Sequence, residues 1–380
     1  LVRRALGLRL PPALVLGWRG AFPRRARTVL GVARLALPLL MITVALSAWT
    51  TVERFRSHPA ELGLPAALTA HSPHAAAADR PAEAEARRLL GAHPDVQSVH
   101  PGAEVAALIP GQTGTITLRG LGEDYPFTVV EGRLPQGPDE AVAGQGLLDL
   151  LRAGVGDWVR MTVEGRPQIL HIVGRSLEPD KNGRVLSTTL DTLQEADPLL
   201  KPGFYQLVLR PGADPDTVRD RLAASVDGRL DIRDVPNPAD GLSPASAVIA
   251  GLVAVLGLIG LTELLTAIAA GVRDRGRDLL ALKAIGLTPR QIGAVMVTAT
   301  GFTALAAALA GTALGVPAGR WLIDAQGRSS GIGAGIAQTP PLPLLAAVVV
   351  LAVAGALAVS AVPATRTAHR RPADSLSESL

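Results

Sequence analysis

The 380-residue chain has no cysteine and only three lysines, Lys181, Lys201 and Lys283. The first absence excludes disulfides, thiolate nucleophiles and cysteine metal sites. The second excludes a phosphate-binding P-loop, because none of the three lysines follows a G-x-x-x-x-G turn. This chain is therefore not itself an ATPase of that kind. Aromatic residues make up only 3%, and neither a G-x-S-x-G elbow nor an H-E-x-x-H pair occurs. His71, His74 and Asp79 are close in sequence but fall in a His, Pro and Ala-rich stretch, 66–78 and its edge, that reads as a solvated connector. Ser225, Asp227 and His171 are scattered hydrophilic positions and form no triad pattern. No catalytic, cofactor or metal residue is expected.

What the chain has instead is apolar length. Hydrophobic residues make up 48%, too many for an ordinary soluble protein, while 18% charged residues are too many for a chain embedded throughout. Residues Leu35 to Val52, Pro244 to Thr262, Ile292 to Gly319 and Ser329 to Thr365 contain no ionised group. A spanning helix needs about 20 apolar residues, so four are predicted, at 29–52, 244–272, 292–318 and 342–363. The apolar stretch Leu10 to Trp18 is too short to span and reads as an interfacial helix within a basic segment, 1–28. Pro38, Gly257, Gly260, Gly311 and Gly315 inside the spans are compatible with membrane helices, where small residues let neighbours approach.

Charge orients these spans. The first 52 residues hold eight arginines and no acid, whereas residues 53–240 hold 19 basic against 27 acidic residues, a net of −8 in a chain of +4. Arg and Lys beside span ends mark the cytoplasmic side. Segment 1–28, the loop 273–291 and the tail 364–380 are thus expected inside, with both termini cytoplasmic. Block 53–243 and the loop 319–341 are expected outside. The arginines sit beside spans and not on one soluble face, so no nucleic-acid partner is expected.

The external block reads as an α+β domain. Short or alternating apolar runs predict strands near 105–109, 115–119, 127–131, 158–163, 169–173, 185–187, 205–209 and 230–235. Helices are predicted at 81–91, 145–151 and 216–225, the last with Asp214 as N-cap and Pro215 in the first turn. Gly132 to Pro135, Asp139 to Val142 and Gly154 to Val159 read as turn chemistry between strands. The expected architecture is a membrane bundle of four transmembrane helices with this extracytoplasmic α+β domain inserted between helices 1 and 2.

Two features inside the membrane phase stand out. Glu263 is a carboxylate within the second span, where burial of a charge costs at least about 2.5 kcal/mol. The expectation is that it is protonated, or bonds Thr262, Thr266 or a partner helix as packing glue, in preference to a functional, proton-transferring role. The second feature is Arg273 to Ile292, R-D-R-G-R-D-L-L-A-L-K-A-I-G-L-T-P-R-Q-I, a charged turn followed by an apolar run that ends at Gly286. A helix there would present Leu279, Leu280, Leu282 and Ile285 to a surface and terminate on the glycine.

This stretch resembles the coupling loop of the FtsX/MacB-like ABC transporter permease family, whose signature R-x-x-E-x-x-x-L-[KR]-A-x-G-x-[ST]-x-x-Q-I is filled by Arg275, Asp278, Leu282, Lys283, Ala284, Gly286, Thr288, Gln291 and Ile292, with Asp in place of the commoner Glu. Gly132-Arg133-Leu134-Pro135, Gly156-Asp157-Trp158-Val159 and the tail Pro363-Ala364-Thr365-Arg366 echo further pieces of the same family. The resemblance implies a non-enzymatic, multi-pass permease subunit in a bacterial cell membrane. Its partners would be a separate ABC ATPase and a second permease unit in a dimer or pseudo-dimer. ATPase contacts would fall on Arg275, Asp278, Leu282, Lys283, Ile285 and Gly286, and ATP hydrolysis would move the external domain by mechanotransmission. Segment 17–28 resembles the linker that precedes a permease unit in duplicated relatives, which leaves two readings open, the second half of a longer polypeptide or a misplaced start. Two other readings stay open at this point: a regulator that activates an extracellular cell-wall hydrolase, as FtsX does, and a membrane-anchored enzyme.

Overall fold

The computed structural model describes residues 21, 25–72, 83–122, 124–226, 228–240, 243–274 and 288–369. Helix α1 (Arg25–Ser57) leads into strand β1 (Leu68–His71), then α2 (Glu83–Gly91), β2 (Val96–Leu108), β3 (Thr115–Leu121), β4 (Val129–Gly132) and β5 (Glu140–Gly144). There follow α3 (Gln145–Leu151), β6 (Trp158–Val163), β7 (Arg166–Ser176), β8 (Val185–Thr189), α4 (Leu190–Ala196), β9 (Phe204–Leu209), α5 (Pro215–Ser225) and β10 (Asp231–Asp234). Among the described residues that follow are three long helices, α6 (Ser243–Asp274), α7 (Pro289–Ser329) and α8 (Leu342–His369). It divides into a membrane unit (1–50, 244–321, 338–380) and an external unit (51–243, 322–337).

Four helices among the described residues are long and apolar enough to span, with candidate stretches at Val29–Ser57, Ala247–Thr266, Gly293–Ser329 and Leu342–Ser360. An α+β domain is inserted between the first and second of them. Outward-facing side chains such as Leu37, Val248, Leu258, Leu314 and Val350 are exposed apolar groups, as lipid requires. Close packing comes from small residues. Gly311, Gly315 and Gly319 recur every four positions along α7, so they share one face. A Cβ on Gly311 would meet Ala36 O at 2.8 Å, one on Gly315 would meet Thr43 Cβ at 2.6 Å, and one on Gly319 would meet Ser47 Oγ at 2.9 Å. On α1 the facing Thr43 and Ser47 are fully buried. Their hydroxyls donate to the carbonyls of Leu39 and Thr43, at 2.8 and 2.9 Å, so the contact is close without leaving a polar atom bare.

The external unit is one ten-stranded mixed sheet, ordered β10-β1-β9-β2-β3-β8-β5-β7-β4, with β6 pairing β2 and β7. Strand alternation gives it two cores on one face. Leu68, Ala70, Tyr205, Leu207 and Ile232 meet Ala86 and Leu90 of α2 and Val218 and Leu222 of α5. Ile116, Leu118, Met161, Leu170, Ile172 and Leu186 meet Leu147 of α3 and Leu190 and Leu193 of α4. The 13-residue β2 runs through both. Helix α5 begins as its sequence predicts, with Asp214 Oδ2 accepting from Thr217 N at 3.2 Å and Pro215 in the first turn.

Three expectations need correction. Part of the stretch read as a connector is strand β1, held between β9 and β10 by paired registers such as Ala70↔Tyr205 and Ala70↔Ile232; the mixed His, Thr and Ala sequence concealed a buried Leu68 and Ala70. Asp139 to Val142, read as turn chemistry, enters β5, whose Ala141, Val142 and Ala143 are buried between β7 and β8. Helix α4 was not foreseen, although Thr189 caps it by accepting from Thr192 N.

Candidate functional site

The signature loop is described only at its ends. Arg275, Asp278, Leu282, Lys283, Ile285 and Gly286 all lie outside the described residues. Its C-terminal edge explains two signature positions. Thr288 N donates to Gln291 Oε1 at 3.0 Å, and Gln291 N donates to Thr288 Oγ1 at 3.4 Å. This is a reciprocal capping box, with Pro289 as first helical residue, that fixes where α7 starts. The T-x-x-Q spacing is therefore a helix-start device.

Glu263 has a partner on another span. Its Oε2 lies 3.1 Å from Arg34 Nη2, joining α6 to α1, with the Arg34 side chain 63% and that of Glu263 34% exposed. The expected bonds to Thr262 and Thr266 are not made by its carboxylate: those hydroxyls donate to the backbone carbonyls of Ile259 and Glu263. Glu263 lies three residues before the end of its apolar stretch at Thr266, and Arg34 five residues inside Val29. At 1.5 Å per residue both are about 4 to 8 Å from the span ends, where a neutralised pair avoids much of the cost of charge in hydrocarbon.

In the external unit, residues 322–337 are built into the domain. Gly146 N donates to Gly331 O at 3.2 Å, and both terminal nitrogens of Arg175 donate to Ala334 O at 3.3 Å. Asp324 Oδ1 accepts from Gly335 N at 3.0 Å and Ala337 N at 3.3 Å, which folds the segment on itself. Ile336 is buried with Phe55, Leu62, Leu177 and Ala239. The seat is a single turn, Asp180–Gly183, in which Lys181, Asn182 and Gly183 all have positive φ. A Cβ on Gly331 would meet Asn182 O at 1.9 Å, one on Gly183 would meet Gly331 O at 2.0 Å, and one on Gly146 would meet Asn182 O at 1.9 Å. Three glycines thus let backbone touch backbone where no side chain fits.

The other side of that turn is anchored by charge. Arg119 Nη1 donates to Glu178 at 2.8 Å, Nη2 to Asp180 at 3.1 Å and Nε to Glu104 at 2.8 Å, while Lys181 Nζ reaches Glu104 at 2.6 Å. Burial pushes the Glu178 carboxyl up, only partly offset by Arg119. Burial pushes Glu104 the same way, but Arg119 and Lys181 together hold it below the usual carboxylate range. The Arg119 guanidinium is disfavoured by burial, yet its carboxylates outweigh this and raise it further. These groups line a groove of about 500 Å³ on the sheet face opposite the helices, with His71, Tyr125 and Phe204 at its apolar side. Residues 104, 119 and 178 to 181 are far apart in sequence, so no local pattern announced the cluster; the run Gly331-Ile332-Gly333-Ala334-Gly335 was the only legible signal of the docking segment.

The arrangement is that of a membrane protein whose four spans carry an external α+β domain. Residues 247–372 match the family model described as FtsX-like permease C-terminal. The resemblance to the FtsX/MacB-like ABC transporter permease family read from the sequence is thereby borne out. Among solved structures, the periplasmic region of MacB from Actinobacillus actinomycetemcomitans is similar at 12% identity and TM-score 0.34, over 52% of this chain and 98% of that one. The extracellular domain of the noncanonic ABC-type transporter YknZ from Gram-positive bacteria is similar at 12% identity and TM-score 0.31, over 45% and 99%. Comparison with curated proteins gave no match.

Proposed function

We propose that the chain is the non-enzymatic permease subunit of an ABC-type export or mechanotransmission complex in a bacterial cell membrane. A separate ATPase docks on the cytoplasmic loop 273–291 through Arg275, Asp278, Leu282, Lys283, Ile285 and Gly286. A second permease unit completes the assembly. The observation that carries the reading is the seat of residues 322–337. Helix α7 starts at the edge of the coupling loop, fixed by the Thr288–Gln291 box, and continues unbroken to Ser329, two residues before Gly331. Past Ser329 the chain is held against the Asp180–Gly183 turn, whose other side the Arg119 cluster anchors.

Docking requires the apolar side of the coupling helix. Truncating Leu282 and Ile285 to Ala removes about 2 kcal/mol or more of apolar contact, enough for at least tenfold weaker association. The double variant should insert normally and fail to co-purify with the ATPase subunit. Leu199→Ala, on a side chain 84% exposed in the external unit, is the control. Retained association in the double variant, or equal loss in the control, refutes the proposal.

A further inference from the structure

The membrane unit contains a cavity of about 440 Å³ walled by all four spans, and every described residue lining it is apolar or glycine. It extends along α1 from Leu35 to Leu46 and along α6 from Leu264 back to Val253. Eleven residues at 1.5 Å make about 16 Å, which is about half of the ~30 Å hydrocarbon core and hence the depth of one leaflet. Gly257 and Gly355 line it from α6 and α8, and a Cβ on either would find nothing within 4 Å among the described residues. Water in such a space would have no polar partners, so the occupant is an apolar chain. A charge stands beside one end: Arg34 adjoins the lining residue Leu35, and Glu263 adjoins Leu264. The guanidinium, 63% exposed and bonded to Glu263 through Nη2 alone among the described ion pairs, has donors left over for phosphate oxygens. Arg24, Arg25 and Arg27 precede it in the sequence, and no acid occurs before Glu53.

We infer that this cavity holds one acyl chain of an anionic phospholipid from the surrounding membrane, with the headgroup phosphate on Arg34. Glu263 competes with that phosphate for the guanidinium and neutralises it when the lipid is absent. The inference needs the four spans in a bilayer and is independent of ATPase docking, since none of its residues lies in the coupling loop.

The test is purification in mild detergent with equimolar phosphatidylglycerol and phosphatidylcholine, followed by native mass spectrometry of retained lipid. Wild type should keep one lipid, with phosphatidylglycerol favoured about tenfold, because both headgroups offer the phosphate but the choline ammonium offsets its charge beside Arg34. Gly257→Leu with Gly355→Leu fills the cavity and should lose the lipid. Gly251→Leu, on the same span, also in open space and not lining the cavity, should keep it. Arg34→Gln should keep a lipid but lose the headgroup preference, whereas Glu263→Gln should strengthen it. That divergence separates a headgroup contact from a purely structural ion pair, whose two halves would fail alike. No lipid on wild type, retention by the filled variant, or parallel behaviour of the two charge variants overturns the inference. So does a wild type free of lipid whose dimer dissociates on filling, which would assign the cavity to a helix of a second copy.

Discussion

Replacing Gly331 with Ala tests whether the segment between α7 and α8 is locked to the external domain or merely rests on it. Two costs arise, and a second glycine separates them. Gly331 has φ +81°, where an L-residue costs about 1 to 2 kcal/mol. Gly111, in the β2–β3 turn, has φ +83° but open space around its missing Cβ. Gly111→Ala should therefore cost the backbone term alone. At Gly331 the new methyl would also stand 1.9 Å from Asn182 O, more than 1 Å inside contact, and overpacking of that kind adds about 1 to 3 kcal/mol. The expected total is about 2 to 5 kcal/mol, released by lifting the segment from the Asp180–Gly183 turn. Amide hydrogen exchange by mass spectrometry on the full chain reads this directly. Peptides containing Gly146 N, which donates to Gly331 O, and Gly333 N, which donates to Gly327 O, should exchange at least about tenfold faster, since 1.4 kcal/mol is a factor of ten. Gly111→Ala should leave those peptides unchanged. Equal effects of the two variants, or unchanged exchange in Gly331→Ala, would mean that the backbone contact is not tight and would refute the seat of Gly331 on Asn182.

Thr288→Ala breaks the capping box and should cost the start of α7 about 1 kcal/mol, visible as faster exchange confined to residues 289–294; uniform change along α7 would contradict a local cap. Glu140, held to about 2 by Arg133 with backbone help from Gln136 and Gly137, has a folded value below its unfolded one. Its contribution is present above the ordinary carboxylate range near pH 4 and is lost as pH falls from there toward 2. Thermal melts of the full chain should accordingly show Glu140→Gln less stable than wild type at pH 6, with the gap closing near pH 2; a gap that widens on acidification reverses the sign and refutes the pairing. Because the chain lacks cysteine, Thr113→Cys in an exposed turn and Ala284→Cys in the proposed coupling loop report topology with an impermeant thiol reagent on intact cells. Thr113→Cys should label and Ala284→Cys should not, and the reverse result inverts the proposed orientation.

Which parts of this protein were legible in one dimension follows from the range of the forces involved. The spans were readable because membrane insertion depends on a sum over about 20 consecutive residues, and the first turn of α5 because Asp214, Pro215 and Thr217 satisfy one another within four positions. The Thr288–Gln291 box is local in the same way, although the sequence reading took it as a family mark and not as a cap. Strand β1 was missed because four residues flanked by His, Pro and Ala show no periodicity of their own; their pairing partners, β9 and β10, come more than 130 positions later. The Arg34–Glu263 pair, the Arg119 cluster and the seat of Gly331 on Asn182 could be decided only by tertiary structure. Each joins groups separated by between 15 and 229 positions, and an ion pair or a close backbone contact depends on distances of a few ångströms that chain order does not contain. Sequence determined which residues were charged, apolar or lacking a side chain; folding determined which of them met.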